Sequence, residues 1–198
     1  MESVTLEPVT LSGRLVTLEP LAPAHHDGLV DAVRDGELWN LWYTAVPAPD
    51  GMAAEIVRRL ALQEAGSMLP FAARRNADGA LLGMTTFMNI DAGLPRVEIG
   101  STWNRASAHG TGTNAESKLL LLAHAFEALG CPAVELRTHW MNHQSRAAIE
   151  RLGAKLDGVL RAHTRTADGA LRDTCVYSIV AAEWPQVRSG LLHRLRRA

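Results

Sequence analysis

The apolar positions alternate in short runs and recur at helical spacing in others, and the two patterns predict an ordered set of elements. Arg14–Leu18 (RLVTL) alternates as a half-buried strand does. Pro23–Val33 opens a helix, with Pro at the start, where its missing N–H costs nothing. Leu38–Val46 is dense in aromatics and ends at Pro47. Asp50 then caps a helix running to about Ala65, with Met52, Ile56, Leu60 and Ala61 on one face. Met68–Arg75 and Leu81–Met88 read as a hairpin around Asn76–Gly79, and Arg96–Trp103 as a further strand. After a loop over Asn104–Thr113 comes a helix over Asn114–Leu129, stopped by Gly130 and Pro132. A strand at Ala133–Thr138 precedes a helix over Asn142–Leu152. Leu156–Thr164 and Leu171–Val180 pair antiparallel across Ala167-Asp168-Gly169, and Trp184–Arg197 forms a terminal helix. Helices early, then an antiparallel meander, then strand–helix–strand–helix–hairpin make an α+β protein with a mixed sheet.

Composition narrows the function classes. The 198 residues are 47% hydrophobic and 21% charged, which suits one folded domain with an ample core and excludes disorder. A net charge of -1 argues against a nucleic-acid binder. Two distant cysteines, Cys131 and Cys175, exclude a zinc knuckle or a disulfide framework and fit a reducing cytoplasm. The N-terminal MESVTLEPVTL lacks the pattern of a signal peptide. No apolar run reaches membrane-span length, the longest, Leu119–Ala123, being broken by His124. No internal repeat is present, and no trio of the eight histidines has the spacing of a metal site.

The chemistry concentrates between Arg96 and Gly153. In His109–Lys118 (HGTGTNAESK), Gly110 and Gly112 let the backbone turn tightly and approach a ligand, and the helix behind them aims its unpaired N–H groups at the same place. That is a site for a pyrophosphate, or simply a glycine loop with an Asn N-cap. A P-loop is excluded, because neither glycine is followed by Lys-Ser or Lys-Thr at the required spacing. Gly110, Gly112 and Ala115 match a dinucleotide fingerprint in letters only, since six residues separate Trp103 from Gly110.

The segment resembles the pyrophosphate loop of the GNAT N-acetyltransferase superfamily. That family's pattern is Gln/Arg-x-x-Gly-x-Gly/Ala, which Gly112 meets at its centre, while His109 and Asn114 depart from it. VEIGSTW before the loop, NAESKLLLLAHAFEALG after it, and the N-x-x-S-x-x-x-x-x-x-L-G-A core within VELRTHWMNHQSRAAIERLGAKLDGVLR resemble the family's surrounding strand, helix and second half-motif. The likeness covers Arg14 to about Trp184 and is nearest to the RimJ/RimL-like branch.

The resemblance implies a single N-acetyltransferase domain over residues 1–198, with a mostly antiparallel sheet splayed between its fourth and fifth strands. It implies acetyl-CoA as co-substrate, no metal, and acyl transfer to a primary amine of a small molecule or a protein N-terminus. The partners it implies are an acyl-CoA, an amine and a second copy of the chain, joined through sheet edges or the C-terminal hairpin, with no nucleic acid and no membrane. Ile99, Ser101 and Trp103 would meet the pantetheine arm, and His109, Gly110, Thr111, Gly112, Thr113 and Asn114 the pyrophosphate. Asn142 would be a further cofactor contact, although its place also suits a helix cap. Glu98, eleven residues before His109, would be the general base, and Ser145 the acid for the leaving thiol. For Glu98 the alternative is a structural role or a partner to an arginine such as Arg137; Arg146 and Lys118 would meet phosphate or lie on a solvated helix face. Trp39, Trp42 and Tyr43 would wall the acceptor pocket or pack in the core. The rival to an enzyme is a coenzyme-A-binding sensor or scaffold of the same fold without turnover.

Overall fold

The computed structural model describes residues 6–91, 93–166 and 168–196. Its eight strands are β1 (Leu11–Ser12), β2 (Val16–Pro20), β3 (Met68–Arg75), β4 (Leu81–Asp91), β5 (Arg96–Asn104), β6 (Ala133–His139), β7 (Lys155–Arg165) and β8 (Leu171–Val180). Its helices are α1 (His26–Arg34), α2 (Met52–Glu64), α3 (Thr113–Ala123), α4 (His143–Glu150) and α5 (Trp184–Leu195). The strands form one sheet in the order β1-β2-β3-β4-β5-β6-β8-β7. Every pair is antiparallel except β5 with β6, where α3 makes the crossover.

Both faces of the sheet centre are covered, so β3 is buried along its first six residues and reads as a continuous apolar run. On one face α1 and α2 seat Leu29, Val33, Met52 and Ile56 against Ala72, Met84 and Trp103. On the other, Leu121, Leu122, Ala125 and Leu191 from the α3 and α5 side pack on Leu69, Phe71, Ile99, Val134 and Tyr177. Cys131 and Cys175 are buried free thiols.

Several expectations are refined. A short strand, β1, precedes the first expected one, so the splayed fourth and fifth strands are here β5 and β6. The hairpin stands where the pattern puts it, with β4 running on to Asp91. Asp50 does not cap α2: it lies in a 3-10 turn, and the cap position is Gly51, with no side-chain bond. On α2 the buried set is Met52, Ile56 and Arg59, and Ala61 faces outward. The helix expected to Leu129 continues past Ala123 as a π turn over His124–Ala128. Ala167 and Arg197 lie outside the described residues.

Candidate active site at the splay of β5 and β6

The two central parallel strands share only two register pairs, Val97↔Val134 and Glu98↔Glu135. Beyond Glu98 they separate, so the backbone of β5 from Ile99 onward lacks a partner on that side. Unpaired strand groups inside a sheet are costly unless something fills the gap. A second irregularity keeps the gap open. Between Met84↔Trp103 and Thr86↔Gly100, three steps on β5 oppose two on β4, which is a β-bulge. Ser101 carries its strain, with φ at 46°. The extra residue reverses the alternation: Ile99 packs in the core beneath α3 and α5, and Trp103 in the opposite core beneath α1 and α2. Of the expected contacts for a pantetheine arm, these two therefore offer backbone alone, while Ser101 is exposed.

Arg59 holds the bulge from behind. It is 1% exposed, and burial lowers its pKa. Its guanidinium donates to the Ser101 carbonyl at 3.1 Å, to Thr86 Oγ1 at 2.8 Å and to Glu55 Oε1 at 2.7 Å. On the other face Lys118 Nζ donates to Thr102 Oγ1 at 2.9 Å and Thr85 Oγ1 at 3.4 Å. Among the described residues no carboxylate pairs with it, and burial brings this lysine down to about 7.

The glycine loop closes over the end of β5. Gly110 (φ 78°) and Gly112 (φ 87°) take left-handed conformations that other residues adopt only with strain, and Gly112 occupies the cap position of α3. His109 Nε2 lies 3.2 Å from the Asn104 carbonyl, and Asn104 Nδ2 donates to Asn114 Oδ1 at 3.4 Å. The two residues that depart from the family pattern thus brace the loop against the strand. Thr111 Oγ1 donates to the Ala108 carbonyl and contacts Thr113 Oγ1. The first-turn amides of α3 have no intrahelical acceptors, and the helix dipole adds to their attraction for an anion. Behind them Glu116 accepts the backbone N–H groups of Arg14, Leu15 and Val16 at 3.0, 2.6 and 2.8 Å, fixing α3 to the start of β2.

Glu98 stands at the vertex of the splay and is 6% exposed. Asn89 Nδ2 donates to its Oε2 at 2.6 Å, and Arg137 Nε lies 3.5 Å away. Burial pushes its carboxyl above the usual 4.5, against the pull of Asn89 and Arg137. The arginine partner foreseen as the alternative to catalysis is therefore present, and burial outweighs its pull on the carboxyl. Gly100 gives the carboxylate its room, since a Cβ there would come within 2.8 Å of Glu98 Oε1.

On the same face Arg137 also pairs with Glu135, which Arg96 reaches at 3.0 Å. Trp42 sets its ring edge-on to His139, 5.3 Å between centroids, and to Tyr43 at 5.5 Å. It is 62% exposed, so it overhangs the sheet face and is not core, whereas Trp39 packs on the α1–α2 core. Asn142 caps α4, accepting from Ser145 N at 3.0 Å, which puts Ser145 in the first turn of that helix. Arg146 is not a solvated side chain: its guanidinium lies over Trp140, 4.1 Å from the ring centroid, and donates to Tyr177 Oη at 3.2 Å. Among the described residues no three metal-ligating side chains converge, and no helix is long and apolar enough to cross a membrane.

Sequence reasoning named the loop, the splay and Glu98, and the structure places Glu98 at the vertex where β5 and β6 part. It assigned nothing to Arg59, Glu116 or Arg172, and for Lys118 it foresaw a phosphate contact or a solvated face, whereas the side chain is buried. Part of the C-terminal hairpin expected as a dimer surface is core: Tyr177 and Ile179 of β8 are fully buried.

The chain resembles several solved structures along nearly its whole length. A protein assigned as an acetyltransferase from T. thermophilus is 33% identical, covers 96% of this chain and 98% of its own, and superposes with a TM-score of 0.84. A GCN5-related N-acetyltransferase from Brucella melitensis is 26% identical, covering 97% and 87%, with a TM-score of 0.86. RimJ from Mycobacterium smegmatis, solved in complex with CoA-disulfide, is 25% identical, covering 96% of each chain, with a TM-score of 0.79. No curated protein sequence is close enough to count as a match. The family model for the acetyltransferase (GNAT) domain matches residues 15–155, well over half the chain, and with the splayed sheet and its glycine loop this makes the chain a member of the GNAT acetyltransferase family.

Proposed function

We propose that this chain is an acyl-CoA-dependent N-acyltransferase, of RimJ/RimL-like type, that moves an acetyl group from acetyl-CoA to a primary amine. The observation that carries the reading is the position of Glu98. The β5–β6 ladder ends at that residue, so a buried carboxylate of raised pKa stands where an unpaired strand begins.

The residues present suit the donor. The α3 amides behind Gly110 and Gly112 would take the pyrophosphate, with His109, Thr111, Thr113 and Asn114 holding the loop in shape. The backbone of Ile99, Ser101 and Trp103 would hydrogen-bond the pantetheine arm, and Asn142, the cap of α4, would be a further contact. Bound acyl-CoA supplies a thioester carbonyl that a neutral amine can attack. Glu98 takes a proton from the acceptor's ammonium or, through water, from the attacking nitrogen. Ser145 Oγ gives a proton to the departing thiolate as the C–S bond breaks, releasing the thiol, and regains one from solvent. Alignment in the cleft supplies much of the remaining acceleration.

Thiol release from acetyl-CoA across a panel of amines tests this reading. Turnover above the hydrolytic blank with at least one amine is expected. Tight binding of CoA with no turnover on any amine would favour the sensor or scaffold. We place the enzyme in the cytoplasm as a homodimer. The supporting surface is the edge strand β7 with its neighbour, where Leu156, Leu160 and Leu171 are 48%, 40% and 60% exposed. A monomeric mass by light scattering at tens of micromolar would remove the dimer.

A further inference from the structure

The sheet face around Glu98 carries one cation too many. Register puts Glu98, Glu135, Arg137 and His139 on this face, and Arg172, two residues before Thr174 on β8, shares it. Glu135 is occupied by Arg96 and Arg137. Glu98 is held by Asn89 and shares Arg137. Asp173, next in the chain, is tied to Arg161 and to the amide of Ala162. Arg172 is left over. Its Nε is buried without a hydrogen-bond acceptor, and among the described residues Arg172 forms no salt bridge, although the charge of Glu98 reaches it. Its charge is nonetheless felt at Glu98 and at His139, so it borders the same cleft.

A half-buried guanidinium whose Nε has no acceptor, and whose one anionic neighbour, Glu98, is already held by Asn89 and Arg137, is an unfavourable arrangement that an anionic ligand would relieve. Glu98 beside it asks for the opposite charge, an ammonium. The overhanging Trp42 closes this part of the cleft over His139. A small molecule carrying both groups answers both. We propose that Arg172 receives the carboxylate of the acceptor, so that the amine acylated here belongs to a small free amino acid. This deepens the reading of the chain as an N-acyltransferase and rests on it. A protein N-terminus, which has no carboxylate fixed beside its amine, would leave Arg172 unpaired.

The test uses the whole chain loaded with CoA. Common L-amino acids and short ω-amino acids, each beside its own primary amide, are titrated by calorimetry, then compared as acceptors by thiol release from acetyl-CoA. At least one acid is expected to bind tenfold or more tightly than its amide, with the same order in KM. The amides lose their proton more readily, so such a preference cannot come from amine availability. Arg172→Gln is expected to collapse the acid-to-amide ratio towards one, and Arg172→Lys to restore part of it. The melting temperature of Arg172→Gln should not fall, because the buried Nε has no protein partner to lose. Acids and amides binding alike, a preference that survives Arg172→Gln, or no acid binding up to about 10 mM would each overturn the proposal. Acids that bind through Arg172 but are never acylated would instead sink the enzyme reading.

Discussion

Replacing Arg59 by methionine should disarm the bulge in β5. The variant leaves the Thr86 hydroxyl and the Ser101 carbonyl without their donor, each costing about 1–3 kcal/mol if buried and unmet. Two effects offset this. Arg58 still holds Glu55, at 2.7 and 2.9 Å, and methionine removes a guanidinium whose burial is itself unfavourable. A net loss of about 2 kcal/mol follows, which at this chain length lowers Tm by about 4–8 °C. The functional effect should be larger than the stability effect. Ser101 is held at a positive φ that costs about 1–3 kcal/mol, and without Arg59 it can relax to extended backbone. A straightened β5 loses the shape of the gap, so CoA affinity should fall at least tenfold, equivalent to ~1.4 kcal/mol. Lysine at the same position keeps the charge but reaches fewer acceptors and should fall between. The assays are thermal denaturation and calorimetric titration with CoA. Wild-type Tm together with wild-type CoA affinity in Arg59→Met would show that the bulge holds itself and that Arg59 is incidental to it.

Other predictions follow from the same geometry. Gly112→Val forces a β-branched residue to φ near 87° and puts methyl groups beside the α3 amides, so acetyl-CoA affinity should drop at least tenfold, ~1.4 kcal/mol, with the circular dichroism spectrum retained; normal binding would remove the loop as the phosphate site. Glu98→Gln should lower kcat by ~10²–10⁴-fold at neutral pH with little change in CoA binding and partial recovery at high pH. Because the folded Glu98 pKa lies above the usual 4.5, its contribution to stability is full below that value and is lost as pH rises through the folded pKa. Glu98→Gln should therefore match or exceed wild type in Tm at pH 7, and a lower Tm with normal kcat would mark the residue as structural. Lys118, brought from 10.5 to about 7, is the converse: its contribution is full above 10.5 and is lost as pH falls through 7. The stability advantage of Lys118→Met, measured by urea unfolding, should thus shrink by about 1.4 kcal/mol for each pH unit gained between 7 and 10; a constant gap would show that Lys118 is not titrating in this range.

The elements that depend on local pattern were legible. The β3–β4 hairpin, the glycine loop and the helix behind it announce themselves through alternation, turn residues and helical spacing. Arg59, Glu116 and Lys118 were not, because a charged residue on an amphipathic helix reads as a solvent position until its partners are known. Those partners lie far off in the chain: Glu116 binds amides about 100 residues away, and Arg59 a carbonyl 42 residues away. The π turn at His124–Ala128 was equally hidden, since its residues are good helix formers and only the tertiary fit decides the register. The bulge at Ser101 left no trace in VEIGSTW beyond its glycine. An even alternation there would put Ile99 and Trp103 on one face, and the structure sends them to opposite cores.

The Glu116 carboxylate has a consequence for the order in which the molecule assembles. Two of its three amide partners, Arg14 and Leu15, belong to the connection between β1 and β2 and the third, Val16, opens β2, while Glu116 itself sits on the helix that presents the phosphate amides. Until the N-terminal segment docks, that helix would bury a charge with nothing to meet it, so α3 cannot reach its final seat early. Closing a loop of about 100 residues is entropically slow, and folding of the donor site should accordingly be a late event. A truncation that removed residues 1–16, distant in sequence from every proposed contact with CoA, would strip Glu116 of all three amide partners, and CoA binding should weaken although the glycine loop is unchanged.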